Sequence, residues 1–312
     1  MPTHTSVRTR LGAGTTDVLG AACLWGTTGT VRTFVPAATN LSVAALRLVV
    51  GGVVLLAVGN GARRLLAARR HWALLGLGAA AMVTYQTAFF SAAARTGVAV
   101  GTVVTIGSAP AFAGLLGAAT GQAPLTRRWS AATGGAVAGS VALIASGAGA
   151  DAGVEPLGIG LALLSGLAYA TYATVMSGLI ARGETSGAVT AALFALAAVV
   201  VAPVLLTGPT AWLLRPGGAL VALYLGAVTT AGAYLLFARG LRTTPATTAT
   251  TLTLAEPAVA AVLGVAVLGE RLDATGVAGL ALLAAGLALL VLPTGSAPAG
   301  ATVGARPAHS HR

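Results

Sequence analysis

The feature that most constrains this chain is a succession of apolar runs joined by short polar connections. Pro, Gly and Arg punctuation divides the sequence into ten such runs, and each approaches the roughly 20 residues with which an α-helix crosses a bilayer. We therefore predict an all-α integral membrane protein with ten transmembrane helices and no soluble domain. The predicted spans are residues 17–35, 41–58, 72–94, 97–120, 127–147, 157–181, 187–206, 217–240, 245–268 and 273–292.

The composition excludes a soluble globular protein. Hydrophobic residues make up 56% of the chain and charged residues only 8%, against about 25% charged in a soluble domain. The net charge of +11 is high enough to suggest nucleic acid as a partner. The arginines, however, are scattered over the short connections between apolar runs, where they set membrane orientation. The predicted surroundings are therefore a lipid bilayer, with no nucleic-acid partner.

The arginines also predict which side of the membrane each connection faces. With the N-terminus inside, thirteen arginines fall in inner segments and four in outer ones, while Arg47 stays within the second span. Cytoplasmic loops are enriched in basic residues. We expect a multi-pass protein of the cell membrane with both termini cytoplasmic, in tails 1–16 and 293–312.

The two halves of the chain are related by an internal repeat. A shift of 147 positions aligns Pro110 with Pro257, each within a Pro-Ala-x-Ala segment. The repeats are predicted to be residues 17–147 and 157–292, with five helices each. Because five is odd, the second copy must enter the membrane inverted, as in transporters whose site lies between the halves near the midplane.

Glu256 and Arg47 are charged side chains that lie inside predicted spans, away from the span ends. A charge at the bilayer centre costs about 2.5 kcal/mol or more, and such residues often carry function. Glu256 is interpreted as a site for proton coupling or for a cationic substrate group; the alternative is a permanently neutral acid bonded to a neighbouring helix. Arg47 is interpreted as pairing with an acid or binding a carboxylate. The alternative is a structural arginine whose side chain extends to the outer surface. The sequence leaves open whether the two side chains meet.

Other residues within the spans are candidates for the substrate pathway. Aromatic and polar side chains could line it, or could simply join helices at about 0.6 kcal/mol per hydrogen bond. Pro110 and Pro257 are predicted to kink their helices, either as hinges beside a cavity or as fixed bends for packing. The pathway candidates are Trp25, Tyr85, Gln86, Tyr169, Tyr172 and Tyr234, together with Arg47 and Glu256.

The sequence favours neither a metal nor a cofactor. It has one cysteine and no Cys/His cluster with zinc-ligand spacing. It also contains no lysine, which a phosphate-binding loop requires. We predict no enzymatic activity, and expect energy from an ion or substrate gradient. A homodimer through the fifth or tenth helix is compatible with the glycines of those spans.

Several short motifs resemble the EamA family of the drug/metabolite transporter superfamily. They are Leu24-Trp25-Gly26, Ala45-Leu46-Arg47-Leu48, and Leu254-Ala255-Glu256-Pro257 followed by Leu268-Gly269-Glu270-Arg271-Leu272. The similarity spans roughly residues 17–292. It implies two inverted EamA repeats and export or exchange of small metabolites. The family's Leu-Gly-Glu signature is kept at Gly269 and Glu270, whereas the first half carries Gln122 instead of the acid.

Taken together, the residues and the resemblance predict a secondary active transporter. We expect an exporter of small metabolites, amino acids or drugs that works by alternating access, with protons as a candidate coupling ion. The alternatives are a membrane-embedded enzyme, which would need a cluster of His, Asp or Glu, and a membrane scaffold without transport activity.

Overall fold

The computed structural model describes residues 12–36, 38–121, 125–146, 155–207, 210–215, 217–269 and 271–292. These residues are almost entirely helical and include no strand. Short 3₁₀ turns lie at Arg69–His71 and Ala211–Leu214, and a π-helical segment, Tyr224–Gly232, joins α9 to α10. The α-helices are α1 (Ala13–Arg32), α2 (Asn40–Val58), α3 (Ala62–Ala67), α4 (Trp72–Thr96), α5 (Val98–Ala119), α6 (Arg127–Ser146), α7 (Pro156–Ala181), α8 (Ser186–Thr207), α9 (Gly218–Leu223), α10 (Ala233–Gly240), α11 (Ala246–Leu252), α12 (Ala255–Leu268) and α13 (Ala274–Val291).

Ten helical segments of this chain build an all-α integral membrane fold. Nine stretches within the described residues are long and apolar enough to cross a membrane, and two of them are composite: α9, the π segment and α10 form Gly218–Gly240, while α11 and α12 form Ala246–Leu268. The remaining segment is α1, whose 20 residues pack along α10 and α12. Glu270 of the predicted signature and Gln122 in the first half lie outside the described residues, as do the tail 293–312 and residues 1–11 of the N-terminal tail.

The packing of the helices follows the two inverted repeats. Helix α1 of the first repeat contacts α12, and its counterpart α7 contacts α5, the counterpart of α12. The contact is close in both places. A Cβ on Gly26 would lie 2.9 Å from the Glu256 carbonyl oxygen, and one on Gly166 would lie 2.8 Å from that of Thr105. A glycine therefore lets the equivalent helices approach closely in each half.

The fifth and tenth spans, α6 and α13, pack against each other within one chain. A Cβ on Gly139 would lie 2.3 Å from the backbone nitrogen of Leu283, and one on Gly286 would lie 2.5 Å from that of Ala136. The glycines of these two spans, which the sequence makes candidates for a homodimer contact, thus pack against each other's helix within the chain.

Two helix ends show how local chemistry sets the boundaries. Asp273, just before α13, accepts a hydrogen bond from the backbone N–H of Gly276 at 2.7 Å, which satisfies a free donor of the first turn. Helix α1 ends at Arg32, three residues before the predicted end of that span. There the Arg32 guanidinium donates to the carbonyl oxygens of Val35 and Ala38, so it binds the chain that turns away from the helix.

The ninth span is interrupted near Pro257. Pro257 lies in the first turn of α12, not at the middle of a continuous helix. Proline has no N–H, so it cannot donate to the carbonyl oxygen of Thr253 four residues earlier. The N–H of Glu256 donates to that oxygen instead, at 2.9 Å. In contrast, α5 runs through Pro110 without an interruption.

Candidate functional site

A cavity of about 420 Å³ lies between the two repeats. Its volume is within the range of small-molecule sites, about 300–1,000 Å³. Helices α1, α2, α4 and α5 of the first repeat form most of its wall, and α7, α10 and α12 of the second repeat complete it. The lining residues are Trp25, Gly26, Thr28, Gly29, Arg32, Val43, Arg47, Tyr85, Gln86, Phe89, Phe90, Ala93, Thr102, Thr105, Ile106, Ala109, Tyr169, Tyr234, Thr253, Glu256 and Ala260.

The cavity extends from the middle of the bundle towards one end, which we call the α1–α2 end. Arg32 and Ala93 lie near the last residues of α1 and α4, while Val43 and Thr102 lie near the first residues of α2 and α5. Helices α1 and α4 end there, and helices α2 and α5 begin there. All four termini therefore lie at the same end of the bundle. The cavity is therefore oriented towards that end.

The opposite end of the bundle is closed by aromatic packing. The ring of Tyr234 at the cavity wall contacts the ring of Phe194, with centroids 4.6 Å apart, and that of Tyr172 at 5.9 Å. Tyr172, Phe194 and Phe237 are fully buried. These rings belong to the main hydrophobic core of the described residues.

Ion pairs also join the two repeats at the closed end. Arg239 donates to both carboxylate oxygens of Asp17, at 2.7 and 2.5 Å. The turn between α7 and α8 carries Glu184, whose Oε1 lies 3.0 Å from Arg70 and 3.0 Å from His71 Nε2. At the α1–α2 end, one exposed pair among the described residues joins Arg95 of the first repeat to Glu155, just before α7, at 2.6 Å.

Arg47 and Glu256 contribute opposite charges to the cavity wall. Arg47 is on α2 of the first repeat, and Glu256 is in the first turn of α12 of the second. Both are partly buried, and each lies within electrostatic range of the other. Neither takes part in an ion pair with any described residue. The question that the sequence left open thus has a structural answer: the two side chains share one cavity without forming an ion pair.

Polar atoms of the cavity wall include buried groups without a protein partner. Trp25 Nε1 and Thr28 Oγ1 are buried and make no hydrogen bond with the described residues, and neither does the hydroxyl of Tyr169. The hydroxyl of Thr253 stands beside that of Tyr169; because it donates its own proton to the Thr250 carbonyl oxygen at 2.8 Å, its lone pairs remain able to accept from Tyr169. Since buried polar groups are normally satisfied, an unfilled donor in a cavity wall is suited to a bound molecule.

Aromatic rings form the rest of the wall. The rings of Trp25 and Tyr234 lie 4.8 Å apart, and those of Tyr85 and Tyr169 lie 5.2 Å apart, both in tilted arrangements. Such pairs are stable and fairly rigid. The cavity therefore combines two charges and several hydrogen-bonding groups with an apolar, aromatic interior.

The structure brings most of the predicted pathway residues together. All of the candidates except Tyr172 line the cavity. Tyr172 lies one turn beyond Tyr169 on α7, fully buried, and its hydroxyl contacts the sulfur of Met176 at 3.7 Å. It supports the cavity from behind and does not face it.

Several lining residues are absent from the predicted set, although the helical periodicity of α4 indicates them. Helix α4 contributes Tyr85, Gln86, Phe89, Phe90 and Ala93, which follow the i, i+3, i+4, i+7 spacing of one helix face. From Gln86 alone, that spacing predicts the two phenylalanines. Thr253 and Ala109 carry no such signal, because their exposure to the cavity depends on how the other helices approach.

Comparison with known proteins gives three findings. The chain matches the EamA-like transporter family over residues 14–145 and again over 156–292. It is 39% identical, over 274 residues, to a protein of Bacillus subtilis (strain 168) named "Uncharacterized transporter YwfM"; the match covers 88% of this chain and 92% of that protein. A crystal structure described only as that of a protein is 22% identical, covers 90% of this chain and 96% of its own, and superimposes with a TM-score of 0.76. This last likeness concerns the fold alone.

Proposed function

Because the chain belongs to the EamA-like transporter family, we propose that it is a secondary active transporter that exports small metabolites across the cell membrane by alternating access. Its multi-pass helical fold and its relative named as a transporter support the coarse assignment to membrane transport. The substrate, direction and coupling ion are argued below from the cavity.

The observation that carries the proposal is the position of two opposite charges in one cavity between the repeats. Arg47 comes from the first repeat and Glu256 from the second, and neither is neutralised by a described ion-pair partner. A substrate that carries both an anionic and a cationic group would satisfy both. The aromatic wall near Trp25 and Phe89 would contact its apolar part. Amino acids and related small zwitterions fit this description best.

The proposed transport cycle uses the two ends of the bundle in turn. With the N-terminus cytoplasmic, the α1–α2 end faces outward, and the structure corresponds to an outward-facing form. The inward-facing form would require separation of the rings around Tyr172 and of the Asp17–Arg239 pair, while the Arg95 side closes. Inverted repeats favour such an exchange because the two halves can adopt each other's conformation.

Glu256 is the proposed coupling residue. An isolated carboxylate at mid-membrane is unfavourable, so the acid should carry either a proton or the cationic group of the substrate while the protein changes conformation. When a substrate cation is exported in exchange for an incoming proton, the cationic group of the substrate neutralises Glu256 on the way out, and the incoming proton neutralises it on the way back. This makes a proton gradient the proposed source of energy.

The experiment that tests the proposal is flux into and out of proteoliposomes. Purified protein is assayed with a panel of amino acids, cationic drugs and nucleobases, with and without a pH gradient. We expect the unmodified amino acids to cross faster than in protein-free vesicles, and the gradient to accelerate them. An embedded enzyme would convert its compound chemically, and a scaffold would give no flux with any member of the panel; either result would overturn the proposal.

A further inference from the structure

The side chain of Arg47 is held by one residue of the π-helical segment. Arg47 Nε donates to Thr230 Oγ1 at 3.0 Å. Thr230 in turn donates its hydroxyl proton to the carbonyl oxygen of Leu225 at 2.8 Å. Because that proton is committed to Leu225, the lone pairs of Oγ1 remain available to accept from Arg47. Thr230 is only 1% exposed, so water does not compete for this position.

The hydrogen bond between Thr230 and Leu225 depends on the wider π-helical turn. In an α-helix, a threonine hydroxyl bonds to a carbonyl three or four residues earlier. Thr229 makes this ordinary bond to the Leu225 oxygen at 2.9 Å, and Thr230 reaches the same oxygen from five residues away. The π-helical turn thus directs two consecutive threonines to one carbonyl. Such turns are rare and often occur at functional sites.

Close packing fixes the π segment against α2, one turn beyond Arg47. A Cβ on Gly51 would lie 2.6 Å from Thr230 Cγ2, and a Cβ on Gly226 would lie 2.3 Å from Val50 Cγ1. Only glycine permits this approach of the two backbones. The distance from Thr230 to Arg47 is therefore set by the helix pair as a whole.

We propose that Thr230 is a positioning residue that fixes Arg47 for recognition of a carboxylate. A guanidinium can bind a carboxylate bidentately through its Nε edge or through its two terminal nitrogens. With Nε bonded to Thr230, the terminal pair is the bidentate edge that remains for the cavity. This inference rests on the proposed function, because it takes the cavity as the transport site.

The test compares substrates that differ only in the carboxylate. Wild-type protein and variants are assayed in proteoliposomes with L-leucine, L-threonine and L-phenylalanine, and with the methyl ester of each. We expect Thr230→Val to raise KM for the amino acids about tenfold, since it removes a hydrogen bond to a charged group, and to leave KM for the esters and kcat within about twofold. Thr230→Ser, which keeps the hydroxyl, should restore the wild-type KM.

Thr229→Val is the matched control. It removes a hydroxyl bonded to the same Leu225 oxygen in the same segment, but Thr229 makes no hydrogen bond to Arg47. Its KM for acids and esters should equal that of wild type. Thr230→Ala removes the hydroxyl with less steric demand and gives the same readout if the valine variant does not fold. An equal effect of Thr230→Val on acids and esters, or no rescue by serine, would overturn the proposal.

A parallel Arg47→Met variant separates this inference from the proposed function. If Arg47→Met does not discriminate between acid and ester, the assignment of the carboxylate to Arg47 is wrong, and the substrate class proposed for the cavity is wrong with it. If Arg47→Met discriminates but Thr230→Val does not, the positioning role of Thr230 alone is wrong.

Discussion

Arg47 and Glu256 face one cavity from opposite repeats; the Arg47 guanidinium is hydrogen-bonded to Thr230, whereas the Glu256 carboxylate has no hydrogen-bond or ion-pair partner among the described residues. Had the two charges met, they would have neutralised each other, and a substrate would have had to break the pair. Held apart, each keeps its capacity for an opposite charge. A buried, unpaired charge is costly, and the partial exposure of both groups to the cavity reduces that cost.

Replacement of Glu256 by glutamine should reduce transport of zwitterions at least about tenfold, because a charge-assisted hydrogen bond contributes about 1.5–3 kcal/mol. The variant should also lose its response to a pH gradient, since glutamine cannot carry the proton. Both are measured as initial rates in proteoliposomes. Glu155→Gln is the control: its pair with Arg95 is exposed and surface pairs contribute about 0–1 kcal/mol. Retention of the gradient response in Glu256→Gln would contradict the coupling role.

The unsatisfied indole of Trp25 gives a second prediction. Trp25→Phe keeps an aromatic ring in the cavity but removes the buried N–H that lacks a protein acceptor. If the substrate accepts from this group, KM should rise about three- to tenfold, as expected for one hydrogen bond of about 1 kcal/mol. Tyr172→Phe is the comparison, since this hydroxyl lies behind the cavity wall against Met176 and its loss should leave KM unchanged. Equal KM values for the two variants would show that the indole does not bind substrate.

The contact between α6 and α13 gives a prediction about stability. Gly139→Ala would place a methyl group 2.3 Å from the Leu283 nitrogen, and overpacking of this kind costs about 1–3 kcal/mol. We expect a lower Tm in detergent, measured by the fluorescence of the tryptophans during heating. Gly134→Ala, on the same helix with nothing within 4 Å, should leave Tm unchanged or slightly raised. A similar Tm for both variants would mean that the two helices can separate freely at Gly139.

The membrane orientation is testable by cysteine labelling. Cys23 is exposed and is first replaced by serine, so that a single new cysteine reports its position. Arg215→Cys should react with an impermeant maleimide in intact cells, because the arginine distribution predicts an outer location. Arg64→Cys, which is also exposed, should react only after permeabilisation. Labelling of Arg64→Cys in intact cells would reverse the orientation and make the cavity inward-facing.

The sequence alone determined the class of fold and the extent of most helices. The predicted spans 41–58 and 157–181 differ by only one residue at their starts from α2 (Asn40–Val58) and α7 (Pro156–Ala181). Hydropathy suffices there because every backbone polar group in a bilayer must be bonded within the helix. The offset between Pro110 and Pro257 likewise determined the inverted repeats, since the number of helices per copy fixes their direction.

Only the tertiary structure decided which of the predicted residues share the cavity. Tyr169 and Tyr172 are equally polar and lie three residues apart on α7. Tyr169 lines the cavity and Tyr172 is buried behind it, because the neighbouring helices determine which part of α7 faces the cavity. Hydropathy also does not predict the π-helical turn that brings Thr230 to Arg47, because a change of hydrogen-bond register leaves the composition the same. That Arg47 and Glu256 line one cavity also depends on how their two helices are packed, and no single span contains that information.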